Sequence, residues 1–106
     1  MIDKAKCQAL RLPAPKIKQS QPNYVLACIA AGHSINTRIG RYIGIGNLHT
    51  VISNLKKRKS PPSFTVEHDT VWCPSTNTVP KEKVDVAYMT SGQRKLYTAM
   101  KKPAKT

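Results

Sequence analysis

The stretch RIGRYIGIGNLHTVISNLKKRK, residues 38–59, decides the fold. Gly40, Gly44 and Gly46 crowd its first half, apolar residues at helical spacing fill its second, and four consecutive cations close it. A phosphate-binding loop needs GxxxxGK followed by Ser or Thr, after a strand. Here no Lys follows the last glycine, and no strand is expected before the first. A dinucleotide fingerprint needs GxGxxG, and GIGNLH supplies GxG alone. A tight turn between two helices uses more of the residues. Helices that cross steeply need a short connection, often with Gly. Gly44 can take the positive φ that ends one helix, Ile45 can drop into the core, and Gly46–Asn47 can open the next helix. Gly40 would let the first of the two helices approach a neighbour closely, at a cost in helix propensity.

Working outward, Asn47 is a natural cap. Leu48, Ile52 and Leu55 then recur at i, i+4, i+7, and Val51 widens the stripe. This predicts a helix over residues 48–59, with the cations in its last turn, where the helix dipole favours them. Pro61 and Pro62 stop it. Upstream, NTRIGRYIG predicts a helix over residues 36–44, capped by Ser34 or Asn36, with Ile35, Ile39 and Ile43 as a narrow apolar stripe. Before that, Ser20 or Gln21 caps a helix over residues 22–31. Pro22 sits in its first turn, Tyr24, Cys28 and Ala31 lie on one side beside Val25 and Ile29, and Gly32 stops it. Downstream, residues 63–72 and 83–89 are rich in β-branched and aromatic residues and alternate, as two strands of a hairpin with a long polar tip. Residues 91–102 form a last helix, with Ser91 as cap and Leu96 and Met100 as apolar positions.

The proline-bearing segment at residues 12–23 is expected to be extended. The expected organisation is therefore a basic flexible arm over residues 1–20, a folded domain over residues 21–102 and a loose tail over residues 103–106. The order helix, helix, turn, helix, hairpin, helix belongs to the α+β class. It is that of a small winged helix-turn-helix, a three-helix bundle with a β-hairpin wing and a C-terminal helix.

The chain has 106 residues, enough for one modest core. It carries 18 Lys and Arg against 5 Asp and Glu, a formal charge of +13. Imbalance this large costs self-repulsion unless a polyanion relieves it. Its apolar periodicity separates it from a basic disordered chain. No stretch approaches a membrane span. Residues 1–12 have amphipathic spacing, for which a membrane-surface helix is the weaker reading. The three cysteines, Cys7, Cys28 and Cys73, are scattered and suggest a reducing compartment without a disulfide framework.

GIGNLHTVISNLKKRK followed by a hairpin resembles a family of short helix-turn-helix proteins common in phages and mobile elements. The shared pattern is a Gly-Ile turn, then Leu, Ile and Leu spaced as Leu48, Ile52 and Leu55, a basic helix end, and a strand pair ending near a Tyr, here Tyr88. The resemblance covers about residues 22–90. It implies DNA binding, with no particular target. The chain departs from the pattern at Val51, where Arg is usual just before the Ile, and at Lys59, where Gly is usual. The second departure implies a longer or straighter helix.

With Leu48, Ile52 and Leu55 inward, Asn47, His49, Thr50, Ser53 and Asn54 form the outward face, the candidate base-contacting residues. Thr50, Asn54 and Lys57 fall on one line. Short polar side chains at such positions suit base edges. Lys56, Lys57, Arg58 and Lys59 are candidate phosphate contacts, with Arg38 and Arg41 on the preceding helix and Lys81 and Lys83 near the hairpin tip. Lys16 and Lys18 on the arm are candidates for the minor groove. Trp72 and Tyr88 are expected to anchor the core rather than stack on bases, and Tyr42 and Tyr97 to lie outside it. No CxxC or HxxxH pair exists, so no metal site is expected. Nor is a cofactor or an enzymatic centre.

The expected function is that of a sequence-specific duplex DNA-binding protein, a transcriptional regulator of a phage or mobile element, cytoplasmic and nucleoid-associated. The alternatives are an RNA- or ribosome-associated basic protein and a winged-helix protein-interaction module. A homodimer and a protein partner stay open. Single-stranded RNA readers need exposed aromatics on a sheet, and the chain has only six aromatics (four Tyr, one Trp and one Phe).

Overall fold

The helices begin on side-chain caps that the sequence supplies, and three of them surround the glycine-rich stretch. Ser20 Oγ accepts from the Asn23 N–H at 3.2 Å, Asn36 Oδ1 from Ile39 at 2.9 Å, and Asn47 Oδ1 from Thr50 at 3.1 Å. Each bond satisfies an N–H that the first helical turn leaves without a partner. The computed structural model describes residues 2–58 and 62–101, apart from the side chains of Met100 and Lys101. Its elements run α1 (Lys4–Ala9), α2 (Gln21–Ala30), β1 (Ile35–Asn36), α3 (Thr37–Ile43), α4 (Leu48–Lys56), β2 (Thr65–Asp69), β3 (Val84–Tyr88) and α5 (Ser91–Lys101). The chain is thus α+β, with five helices and one three-stranded antiparallel sheet among the described residues. Among the same residues no helix is long and apolar enough to cross a membrane.

The glycine-rich stretch is a helix-to-helix turn. Gly44 ends α3 at φ 111°, in the left-handed region. The next N–H, of Ile45, donates back to the Gly40 carbonyl at 2.7 Å, and the Ile45 side chain is fully buried. Gly40 does not serve the close approach expected of it. A Cβ there would lie 3.6 Å from Ile45 Cβ, an ordinary contact.

Nothing local in the sequence signals β1. Ile35, expected on the helical stripe with Ile39 and Ile43, lies in this two-residue strand and pairs with Ala87, while Asn36 pairs with Val86. The extended backbone of Asn36 (φ −122°, ψ 172°) serves both as the last strand residue and as the cap of α3. A strand therefore does precede Gly40, but it enters α3 with no loop that could cradle a phosphate. The sheet order is β1-β3-β2. Register pairs Val66 with Ala87 and His68 with Asp85 on one face. Ala87 is buried beneath the helices, so Val84, Val86 and Tyr88 occupy the opposite face, half-buried beside the exposed Glu67 and Asp69.

The core joins Tyr24, Val25, Cys28 and Ile29 of α2 to Ile43, Ile45 and the Leu48, Val51, Ile52 and Leu55 stripe of α4. The N-terminal segment belongs to it, which corrects the expectation of an arm apart from the core. Ile2 and Cys7 are buried, and the Asp3 N–H donates to the Ile43 carbonyl at 2.7 Å. The amphipathic spacing of residues 1–12 thus spends its apolar side on the protein's own core rather than on a membrane. The Tyr24 hydroxyl donates to the Pro13 carbonyl at 2.6 Å, which pins the proline segment across α2. Burial pushes the Cys28 thiol up to about 11 and raises Cys7 as well, with the Tyr24 hydroxyl partly offsetting both.

Two boundaries differ from expectation. Helix α4 ends at Lys56 rather than residue 59, because Lys57 closes it as C-cap and Arg58 turns back to bond Asn23 Oδ1 at 2.6 Å. The longer helix implied by the departure at Lys59 is therefore not seen. The strands are shorter than expected, and residues 70–83 form the connection between them. Lys59, Pro61 and the tail at residues 103–106 lie outside the described residues, as does the Met100 side chain.

Candidate functional site

Helix α4 divides cleanly. Leu48, Val51, Ile52 and Leu55 are buried, while His49, Thr50, Asn54, Lys56 and Lys57 are exposed. The structure brings Thr50, Asn54 and Lys57 onto one open line, as the spacing predicts. The other two expected base contacts on this helix are less available. Ser53 is half-buried. Asn47 is exposed, but its carbonyl oxygen is engaged in the cap on Thr50, leaving only its amide N–H groups to face outward.

His49 has a role that the helical pattern did not indicate. Its Nδ1 lies 3.5 Å from Asp85 Oδ2, and His68 Nε2 lies 2.7 Å from the other oxygen, Oδ1. The carboxylate is 18% exposed and the two imidazoles 80% and 71%, so a mostly covered acid joins two open rings. The three residues come from α4, β3 and β2, and they tie the first turn of α4 to the end of the sheet from which the loop at residues 70–83 departs. The β2–β3 register sets His68 opposite Asp85, but the long connection between the strands leaves that register open in the sequence. Nothing in the sequence brings His49 to them. Among the described residues no group of His, Cys, Asp or Glu is arranged to hold a metal ion.

The cations fall into two sets. Arg41, Lys56, Lys57, Lys81 and Lys83 are exposed, as are Lys16 and Lys18. Arg38 and Arg58, also expected to contact phosphates, are half-buried, and each spends one guanidinium nitrogen on a hydrogen bond within the fold. Arg38 Nη2 donates to the Glu82 carbonyl at 3.2 Å, and its Nε is buried without a partner. Arg38 is therefore a strut under the returning limb of the hairpin loop. Arg58 joins the end of α4 to the start of α2 through Asn23. Lys59 lies outside the described residues.

The aromatics also differ from expectation. Trp72 is 42% exposed and donates from Nε1 to Asn77 Oδ1 at 2.9 Å, so it is a feature of the loop and not a core anchor. Tyr88 is half-buried on the outer sheet face. Its hydroxyl faces Glu67, whose carboxylate raises its pKa. Tyr42 and Tyr97 pack partly against the core, and the Lys6 ammonium sits 5.0 Å from the Tyr42 ring centroid. No family model, no curated protein and no solved structure matches the chain.

Chemically, the arrangement offers hydrogen-bonding side chains on an exposed two-turn helix, flanked by cations and braced by a β-hairpin. It can recognise a polyanion that also displays donors and acceptors at fixed spacing.

Proposed function

We propose that the chain is a winged helix-turn-helix protein that binds duplex DNA sequence-specifically and acts as a transcriptional regulator of a phage or mobile element. The observation that carries this reading is the division of α4. Its apolar stripe is buried, and Thr50, Asn54 and Lys57 stand on one exposed line behind a short glycine turn. An α-helix presented in this way fits the major groove, where base edges offer distinct donor and acceptor patterns. The topology supports it too: β1 between α2 and α3 completes a three-stranded sheet with the hairpin that follows α4. Thr50 and Asn54 then contact base edges, while Lys56, Lys57 and Arg41 contact phosphates. The resemblance of GIGNLHTVISNLKKRK to phage and mobile-element proteins supplies the regulatory setting.

Titration of labelled duplex DNA across a salt series tests the reading. Affinity should fall steeply with salt, and replacing Lys56 and Lys57 by Ala should flatten the log–log slope by about 0.9 for each phosphate no longer neutralised. A slope near zero removes the reading. One observation favours a protein-interaction module instead, the carboxylates Glu67 and Asp69 exposed on the outer sheet face. That module would show no duplex binding at low salt.

A further inference from the structure

Trp72 and Val79 are exposed at one place. The large hydrophobics exposed among the described residues are Ile17, Trp72, Val79 and Leu96. Within the hairpin loop an antiparallel bridge joins Cys73 to Thr78. Trp72 and Val79 flank this bridge, one on each limb of the loop. They are 42% and 60% exposed. The tip is a built turn. The Cys73 N–H donates to the Thr78 carbonyl at 2.7 Å, the Asn77 N–H to the Cys73 carbonyl at 2.8 Å, and the indole Nε1 to Asn77 Oδ1 at 2.9 Å. The indole is thus held in one orientation before it meets a partner, which lowers the ordering cost of binding. Arg38 anchors the returning limb at Glu82.

We propose that this tip is a wedge for duplex DNA. Trp72, backed by Val79, inserts against a base-pair step in the minor groove adjoining the groove that α4 occupies, and bends the duplex there. The proposal rests on the duplex reading above. Three observations select this occupant. First, the loop starts at the junction of His49, Asp85 and His68, beside the exposed first turn of α4. Four residues from Asp69 to Cys73 span up to roughly 13 Å, comparable with the ~12 Å width of the major groove. Second, Lys81 and Lys83 are exposed on the limb that follows Val79, where they can meet the phosphates lining a groove. The acidic Glu67 and Asp69 alternate onto the sheet face opposite His68 and Asp85, away from α4. Third, apolar side chains inserted between base steps from the minor groove unstack them and kink the duplex, and an indole face stacks on any base.

Trp72 is the sole Trp, so its fluorescence reports on the tip alone. The full chain is titrated at low salt with a mixed-sequence DNA duplex and, separately, with heparin, a polyanion without bases. Binding is followed independently by anisotropy of the labelled duplex, and bending by energy transfer between its ends. The duplex should quench the Trp emission and heparin should not. Trp72→Ala should weaken duplex binding roughly tenfold, the scale of one base–aromatic stack, and should abolish the bend, with Trp72→Phe retaining most of both. Binding with unchanged emission and wild-type affinity for Trp72→Ala overturns the wedge and leaves the duplex reading standing. Equal quenching by heparin also overturns it, as does an emission change that follows protein concentration without DNA, which would assign the tip to a protein contact. No duplex binding at low salt overturns both.

Discussion

The helical body and the β-hairpin are built on opposite terms. Among the described residues, the buried apolar side chains of the hairpin and the turn after it are Ala87 and Met89; the rest lie on α1, α2, β1, α3, α4 and the segments that precede or join them. Charge divides the same way. Glu67, Asp69, Glu82 and Asp85, four of the five carboxylates, sit on the hairpin against Lys81 and Lys83, while 16 of the 18 Lys and Arg lie in the rest of the chain. The body thus holds most of the apolar burial and most of the cations. The hairpin is then free to carry side chains, such as Trp72, that a core would otherwise claim. Its charges also protect β2, an edge strand whose outer side no other strand covers.

The largest expected effect tests where stability resides. Ile52→Asp places a carboxylate in the buried stripe of α4, where Ile52 is 5% exposed. The expected loss is at least about 3 kcal/mol, enough to unfold a small domain. Val79→Asp makes the same chemical change at the hairpin tip and should leave the melting temperature within a degree or two. Thermal melts followed by circular dichroism check both. Equal losses would mean that the hairpin is part of the cooperative core and that body and hairpin are not separate in stability.

The body was legible in the sequence for a physical reason. Helical periodicity and caps are local signals, and α2, α4 and the Gly44 turn follow from residues within one or two turns of each other. The hairpin was legible as a hairpin, but not which way its faces point. Val84, Val86 and Tyr88 alternate more clearly than Asp85 and Ala87, yet Ala87 is the strand residue that is buried, and the three larger residues are half-buried. Strand β1 has two residues, too short for any periodic signal, and it exists through pairing with β3, far away in sequence. Ile2 and Cys7 reach the core through a backbone bond to Ile43 that no local pattern encodes. The candidate site divides likewise. The exposed line on α4 followed from spacing, whereas the commitments of Arg38, Arg58 and His49 depend on tertiary partners.

The cysteines offer a second contrast. Cys7 and Cys28 are fully buried in the body, and burial raises both thiols. Cys73 lies in the hairpin turn, where hydrogen bonds from the Thr76 side chain and then its backbone lower the pKa and favour the thiolate. The thiolate is the reactive species, and a buried thiol reacts only through opening of the fold. Iodoacetamide at pH 8 should therefore modify Cys73 faster than the other two by at least about a hundredfold. Peptide mass mapping over time reads the order. Labelling of Cys7 at the rate of Cys73 would show that α1 opens independently of the body.

Within the proposed interface, the two regions should also contribute differently. Asn54 carries no charge and stands on the exposed line of α4, so Asn54→Ala should lose roughly 1–3 kcal/mol of discrimination between a selected site and its mutants. Non-specific affinity should hardly change. Lys83→Ala on the hairpin should do the reverse, weakening all duplexes alike and flattening the salt slope. Competition between a selected duplex and a scrambled one measures both. An unchanged specificity ratio for Asn54→Ala would make Asn54 part of an ordinary solvated face.

The smallest effect sharpens the picture inside the body itself, at the turn that sets α4 against α3. Gly44 lies in that turn and Gly40 one helical turn before it, and of these two only Gly44 needs to be glycine. Gly44 holds φ 111°, a conformation that an L side chain reaches only with strain, so Gly44→Ala should cost about 1–2 kcal/mol. Gly40 sits inside α3, and a Cβ there would lie 3.6 Å from Ile45 Cβ and 3.8 Å from the Ile45 carbonyl oxygen, both ordinary contacts. Helix propensity then decides the sign, because Ala loses less backbone freedom than Gly on entering a helix. Gly40→Ala should stabilise by about 0.5–1 kcal/mol. One kcal/mol moves the melting temperature of a domain this size by roughly 4–8 °C, so the two variants should depart from wild type in opposite directions by readable amounts. A loss at Gly40 equal to that at Gly44 would mean that α3 and Ile45 tolerate no displacement, and that the packing of the turn, rather than the backbone angle of one residue, fixes how α4 is presented.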